Sequence, residues 1–238
     1  MFGWEYYLWG IILLPGLLFA IYASVRVNRS YAKYSKVKTQ AGLTGAEVAA
    51  QMLKDAGAYD VGIVRTGGHL TDHYDPRSKT LALSESVYSG TSVAAIGIAA
   101  HEVGHAIQHD TEYFPLKIRS ALVPVVNISS RMLWPVIMIG LFFSFLVENT
   151  LFGELFILAG IIMFGAALVL SLVTLPVEFD ASRRAFRTLY DKGPLTREEA
   201  VQSKKVLNAA ALTYVAAMLV SLLQLLRFLL VAASRRRR

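Results

Sequence analysis

The segment His101-Glu102-Val103-Gly104-His105 sets two imidazoles four residues apart, with a carboxylate directly after the first. On an α-helix, residues i and i+4 differ by about 40° around the axis and about 6 Å along it, so both rings can turn toward one ion. Zinc sits about 2.0–2.1 Å from an imidazole nitrogen, a distance that both rings can meet together. Glu102, one position on, is angled to reach a water held by that ion. As a carboxylate it can take the water's proton and later deliver it to a leaving amine. His-Glu-x-x-His on a helix is the metalloprotease pattern. Three of the five histidines fall within nine residues, which structural hydrogen bonding on a surface helix does not explain. His109 lies a further four residues along and drifts off the shared face, so a supporting or surface role suits it better than ligation. Ten residues after His101 stands Thr111, so the extended pattern with a third histidine ligand is absent.

The elements that must position these residues are set largely by a membrane. Of 238 residues, 55% are hydrophobic and only 17% charged, with a mean hydropathy of +0.47. A soluble domain carries about 25% charged residues. The same numbers exclude disorder, collagen and a disulfide-stapled secreted module. With no cysteine, thiolate metal sites are excluded as well. A bilayer core needs roughly 20 mostly apolar residues as helix, and four runs approach or exceed this. They are Tyr6–Ala23, Leu122–Val147 (strongest from Met132), Leu151–Leu175, and Val206–Ala233 with its interruptions at Asn208, Gln224 and Arg227. Tyr6–Ala23 lacks a basic leading region and a clear cleavage site, which favours a retained anchor over a signal peptide. Only Glu148, Asn149 and Thr150 separate the second run from the third, so these two form an antiparallel hairpin.

Residues 24–120 carry eleven Lys or Arg and residues 176–205 carry seven, whereas the first five residues and the 148–150 link carry none. Basic residues concentrate on the cytoplasmic side, so both basic segments are expected there. The clustering of the net +7 charge at membrane edges serves topology and anionic lipid, and makes a nucleic-acid role a poor reading. Four full crossings would leave Arg235–Arg238 outside, so either the fourth run bends back or a basic tail is tolerated there. The expected layout is an N-terminal anchor (1–23), a cytoplasmic metallopeptidase region (24–121), a transmembrane hairpin (122–175), a cytoplasmic helix (176–205) and a C-terminal hydrophobic segment with its basic tail (206–238). The expected fold is a mostly α membrane protein with about four transmembrane helices and a small α+β, zincin-like cytoplasmic domain carrying the HExxH helix.

Within the cytoplasmic region, Thr44-Gly45-Ala46-Glu47 is a capping-box pattern that opens a helix ending near Gly57. Val61–Val64 and Thr80–Leu83 read as strands, with turn-rich chain from Gly67 to Ser78 between them. Ser89, Gly90, Thr91 and Ser92 offer caps for a helix from about Val93 to His109. The third ligand must come from elsewhere, and a carboxylate on a separate helix is a usual solution. Glu148 and Glu154 fall at the far side of the hairpin. Asp110 and Glu112 are too close in sequence to bend back onto the metal. Glu178 and Asp180 follow the third run on the same side as the histidines. In Leu175-Pro176-Val177-Glu178, the proline reads as the start of a fresh helix with Glu178 in its first turn, where the dipole also favours a carboxylate. On the residues alone, Glu178 is the stronger candidate and Asp180 stays open.

The stretch around His101–His105, Ala-Ala-His-Glu-Val-Gly-His-Ala-Ile-Gln-His, together with Leu175–Ala185, resembles the YugP-like family of membrane zinc metallopeptidases. The resemblance covers essentially the whole chain. That family is distantly similar to HtpX and the CAAX prenyl proteases, in which the helix after the active-site hairpin holds a Glu-x-x-x-Asp element. The resemblance implies that Glu178 is the third zinc ligand, a gluzincin-like arrangement, and that the membrane is a bacterial plasma membrane. Ser182 stands where the aspartate of that element is expected; Asp180 is a substitute that points to another face.

The leading reading is a zinc-dependent endopeptidase, with Zn2+ on His101, His105 and Glu178, Glu102 as general base, and a fourth position left for water. His69, His73, Tyr88, Arg183 and Tyr190 are candidate donors to the oxyanion. The strand around Thr80–Leu83 offers a possible edge for an extended peptide substrate. Twelve residues separate His109 from Leu122 and two separate Leu175 from Glu178, so the site is expected near the lipid interface, facing membrane-associated proteins. The alternative is a non-proteolytic scaffold with a structural metal, which has no need of Glu102. A transporter fits poorly, because the runs hold few ionisable residues.

Overall fold

The computed structural model describes residues 9–146 and 150–236. The start of the Tyr6–Ala23 run, the end of the second run at Val147, the link residues Glu148 and Asn149, and the last two arginines lie outside the described residues. After a 3-10 turn at Trp9–Leu13 come α1 (Leu14–Tyr34), α2 (Gly45–Asp55), β1 (Gly62–Thr66), β2 (His73–Asp75), β3 (Thr80–Ser84), α3 (Glu85–Tyr88), α4 (Val93–Asp110), α5 (Phe114–Leu146), α6 (Thr150–Asp191) and α7 (Arg197–Arg236). The described residues are mostly helical, with one small sheet. Among the described residues, three helical stretches are long and apolar enough to cross a membrane: Gly10–Tyr34, Glu154–Asp191 and Arg197–Ser234. The run from Leu122 lies in α5, which contains Pro124 and Pro135. α7 is one continuous helix, with no turn that would fold the Val206–Ala233 run back on itself.

Two compact units divide the chain. The first takes the described residues of Met1–Tyr22, Lys117–Thr174 and Thr213–Arg238. Its helices meet through small residues: a methyl group added at Gly160 would strike the Phe228 ring at 2.3 Å, and one at Gly16 would meet the Leu223 side chain at 2.9 Å. Phe164 stacks on Phe228, and Ile157, Phe228 and Val231 are buried. Leu14, Leu17, Leu18 and Ile21 on α1, and Leu155, Leu158 and Ile162 on α6, face outward. Helices whose outer faces are apolar suit hydrocarbon rather than water as their surroundings.

The second unit takes Ala23–Leu116 and Leu175–Leu212. Thr44 caps α2 in a full capping box, its hydroxyl accepting from Glu47 N while Glu47 Oε2 accepts from Thr44 N. Ser92 is the cap of α4, accepting from Ala95 N at 3.2 Å. The sheet has the order β1-β3-β2, with β1 parallel and β2 antiparallel to β3. Two expectations are corrected here. The turn-rich chain between the two strands contains β2, too short to reveal a two-residue period; Asp72 beside it accepts from both Ser84 N and Ser84 Oγ. In addition, β3 is the central strand, hydrogen-bonded on both sides, so Thr80–Leu83 offers no free edge.

α4 is the axis of this unit. Ile96, Ala99, Ala100, Val103 and Ala106 pack with Val48, Met52 and Leu53 of α2, Leu81 and Leu83 of β3, and Ala185 and Leu189 of α6. A third correction concerns α6, which runs unbroken from Thr150 to Asp191 with Pro176 inside it. Glu178 is therefore mid-helix rather than in a first turn. A proline inside a helix costs about 3 kcal/mol or more. Here Val177, Ala181, Ala185 and Leu189, spaced four apart and all fully buried, form an apolar stripe that keeps the helix going through that loss.

Two glycines let α4 come this close to its neighbours. A methyl group added at Gly97 would lie 2.3 Å from Ser203 Oγ on α7, and one at Gly104 would lie 2.6 Å from the Ala181 carbonyl oxygen on α6. The second obstacle is backbone, so the helices would have to separate. Gly104→Ala is expected to lower the stability of the detergent-solubilised protein by about 1–3 kcal/mol. Gly165→Ala, with nothing within 4 Å of the added methyl, should leave it unchanged or slightly raised. Thermal melting of the two variants checks this, and equal midpoints would contradict the close approach.

Candidate metal centre

His101 and His105 project from adjacent turns of α4, their ring centroids 4.7 Å apart and nearly perpendicular. Glu178 reaches them from α6, 77 residues from His101 in sequence. Its Oε2 lies 3.2 Å from His101 Nε2 and 3.7 Å from His105 Nε2. The three side chains are nearly sealed, with Glu178 only 2% exposed and the imidazoles 14% and 11%. One donor atom from each lies within 4.8 Å of the others, and among the described residues these three are the group that could hold a metal ion.

The fit to zinc can be judged from the donors themselves. Tetrahedral ligands about 2.0–2.1 Å from a common ion stand roughly 3.3 Å from one another. The 3.2 and 3.7 Å separations bracket that value. Two imidazole nitrogens and one carboxylate oxygen form a donor set that zinc accepts in sites keeping a fourth position for water or substrate. Glu102 lies in the same buried stretch of α4, one residue beyond His101.

Around the group is a polar layer whose contacts sequence reasoning did not supply. Ser182, one helical turn after Glu178, has its hydroxyl 3.1 Å from His101 Nδ1. Gln108, fully buried one turn after His105, has its Oε1 3.1 Å from His105 Nδ1. Residues three or four apart on a helix share a face, which places each of these beside a candidate ligand without saying which ring nitrogen it meets. Gly104, between the histidines, carries no such signal, and its role follows only from what packs opposite.

The other candidates lie elsewhere. Asp180 turns away from the group, accepting from Gln108 Nε2 at 3.0 Å and Arg184 Nε at 2.6 Å. His109 meets the Tyr74 hydroxyl through Nδ1 at 2.9 Å. There it lines a separate pocket of about 300 Å³ with Asp60, Lys79, Asp110 and Glu112. Burial, and then the nearby Asp60, Asp75 and Asp110 carboxylates, push the Tyr74 phenol up to about 12. Among the suggested oxyanion donors, His69 packs edge-on against Tyr31 and His73 Nδ1 meets Thr71 O. Tyr88 lies beneath the Arg65 guanidinium, and Tyr190 packs with Phe186 and Arg197. Each of these four side chains thus has a partner other than the His101, His105 and Glu178 group.

Residues 9–233 match the family described as "Putative neutral zinc metallopeptidase". The chain is also similar to the protein named "Putative membrane protease YugP" of Bacillus subtilis (strain 168), with 44% identity over 221 residues, covering 92% of this chain and 94% of that protein. No solved structure matches.

Proposed function

The chain belongs to this family of zinc metallopeptidases, and on that premise we propose that it is a membrane-embedded, zinc-dependent endopeptidase. In this reading the site is gluzincin-like, with His101, His105 and Glu178 as ligands and Glu102 as general base. The observation that carries it is the meeting of a carboxylate from α6 with both histidines of α4 in one buried cluster. The family name supports zinc, and the relative's name supports a membrane protease.

Zinc bound by these three residues would supply the Lewis acidity that polarises a peptide carbonyl and acidifies a water. The chain's own part is then proton handling and placement. Glu102 takes the proton from the attacking water through its carboxylate and passes it to the nitrogen of the leaving amine. α4 fixes Glu102 relative to His101 by a single helical step, and burial keeps bulk water from competing for the same proton.

The proposed placement has four crossings, with the zincin-like region, residues 24–121 and 176–205, on the cytoplasmic side of a bacterial plasma membrane. The asymmetry of Lys and Arg supports that orientation. Glu178 is three residues beyond Leu175 on a continuous helix, about 4.5 Å along its axis, which supports a site close to the lipid interface. The proposed substrates are therefore membrane-anchored or membrane-associated proteins, and anionic lipid would gather at Lys117, Arg119, Arg183 and Arg187.

Three outcomes follow. Metal analysis of purified Glu178→Ala should show zinc affinity weakened more than about tenfold; wild-type retention would remove Glu178 from the site and return attention to Asp180. Glu102→Gln should keep the fold and the zinc while proteolysis falls by about a hundredfold or more, and undiminished turnover would end this mechanism. Finally, one cleavable sequence presented on a membrane anchor should be cut faster than the same sequence in a soluble unfolded protein. Equal rates would make the protein a general peptidase.

A further inference from the structure

We infer that Gln108 is a positioning residue that holds His105 as the Nδ1–H tautomer and so turns the Nε2 lone pair toward Glu178. The inference rests on the proposed site and deepens it. The orientation of the Gln108 amide is fixed by a backbone group. Its Nε2 lies 2.8 Å from the Val177 carbonyl oxygen, which can only accept, so this end of the amide must be the donor. The same Nε2 donates to Asp180 Oδ2 at 3.0 Å, and Asp180 is held in turn by Arg184 Nε. The opposite end of the amide is therefore the carbonyl oxygen, and it faces His105 Nδ1 at 3.1 Å.

An amide oxygen accepts and cannot donate, so His105 Nδ1 must carry the proton. In a neutral imidazole the other nitrogen then has a bare lone pair. That nitrogen, Nε2, is the one 3.7 Å from Glu178 Oε2. That nitrogen and the Glu178 oxygen are thereby turned toward one region, where a shared cation could take an electron pair from each. Without Gln108 the ring would be free to place its proton on Nε2, and that proton would have to leave before a metal could bind. Gln108 is fully buried and reaches across from α4 to α6 at Val177 and Asp180, so it ties the tautomer of one ligand to the helix carrying another.

The test uses the full-length chain in detergent, with zinc as the probe. In chelator-treated wild type labelled with 15N-histidine, the His105 resonances should report the proton on Nδ1. Gln108→Met keeps the volume and removes both ends of the amide; its zinc affinity, measured by chelator competition, should fall about 10- to 100-fold, with the His105 proton no longer confined to Nδ1. A wild-type proton on Nε2 overturns the inference, and does so even should the variant fail to fold. Wild-type zinc affinity in a folded Gln108→Met also overturns it. His105→Ala separates this from failure of the site itself: if His105→Ala binds zinc as wild type does, the proposed site falls and the inference with it. If His105→Ala loses zinc while Gln108→Met does not, only the role of Gln108 falls.

Discussion

At Gly104 the backbone of α4 runs so close to α6 that an added methyl would strike the Ala181 carbonyl at 2.6 Å, and the convergence of the donor group depends on that approach. His101 and His105 flank this glycine on one helix; Glu178 precedes Ala181 by three residues on the other. Each additional ångström between the helices would carry the carboxylate away from both imidazoles at once. The buried stripe of Val177, Ala181, Ala185 and Leu189 presses α6 onto the same surface. It also keeps α6 helical across Pro176. Packing and chemistry thus share one contact, since the residues that close the core are interleaved with those that form the cluster.

Burying a carboxylate as thoroughly as Glu178 is unfavourable unless partners replace water. The His101 imidazole, its Nε2 3.2 Å from one Glu178 oxygen, supplies part of that replacement, and the flanking polar residues are themselves anchored. Ser182 meets His101, and Gln108 meets His105 while gripping Val177 and Asp180 across the helix interface. Rings held from behind lose less freedom when a ligand atom must point at one place. On the proposed reading this is a site organised before metal arrives, rather than one assembled by it.

Much of this was legible in the residues. The His-Glu-x-x-His spacing places both rings on one face of a helix whatever the fold, and Thr44 and the four cap choices from Ser89 to Ser92 announced where α2 and α4 begin. Lys and Arg asymmetry and four apolar runs marked a membrane protein. Side and sequence distance narrowed the carboxylates to Glu178 and Asp180, and the structure is what brings Glu178 to the histidines. What sequence did not yield was anything decided by the opposing surface. Pro176 carries a local signal for a helix start, and only the apolar stripe around it, buried by tertiary contacts, makes α6 continuous. β2 has three residues, too few for a period, and its discovery turned β3 from an edge into the centre of the sheet. Gln108 and Ser182 are ordinary polar residues until the ring beside each is known.

The central claim is that donors from α4 and α6 meet at one zinc ion, and its most direct test is X-ray absorption at the zinc edge on the purified full-length protein. The account predicts two imidazole nitrogens and at least one oxygen at about 2.0–2.1 Å, with one imidazole fewer in His105→Ala and one oxygen ligand replaced in Glu178→Ala. A shell of oxygens alone, or a spectrum that neither substitution alters, would contradict it.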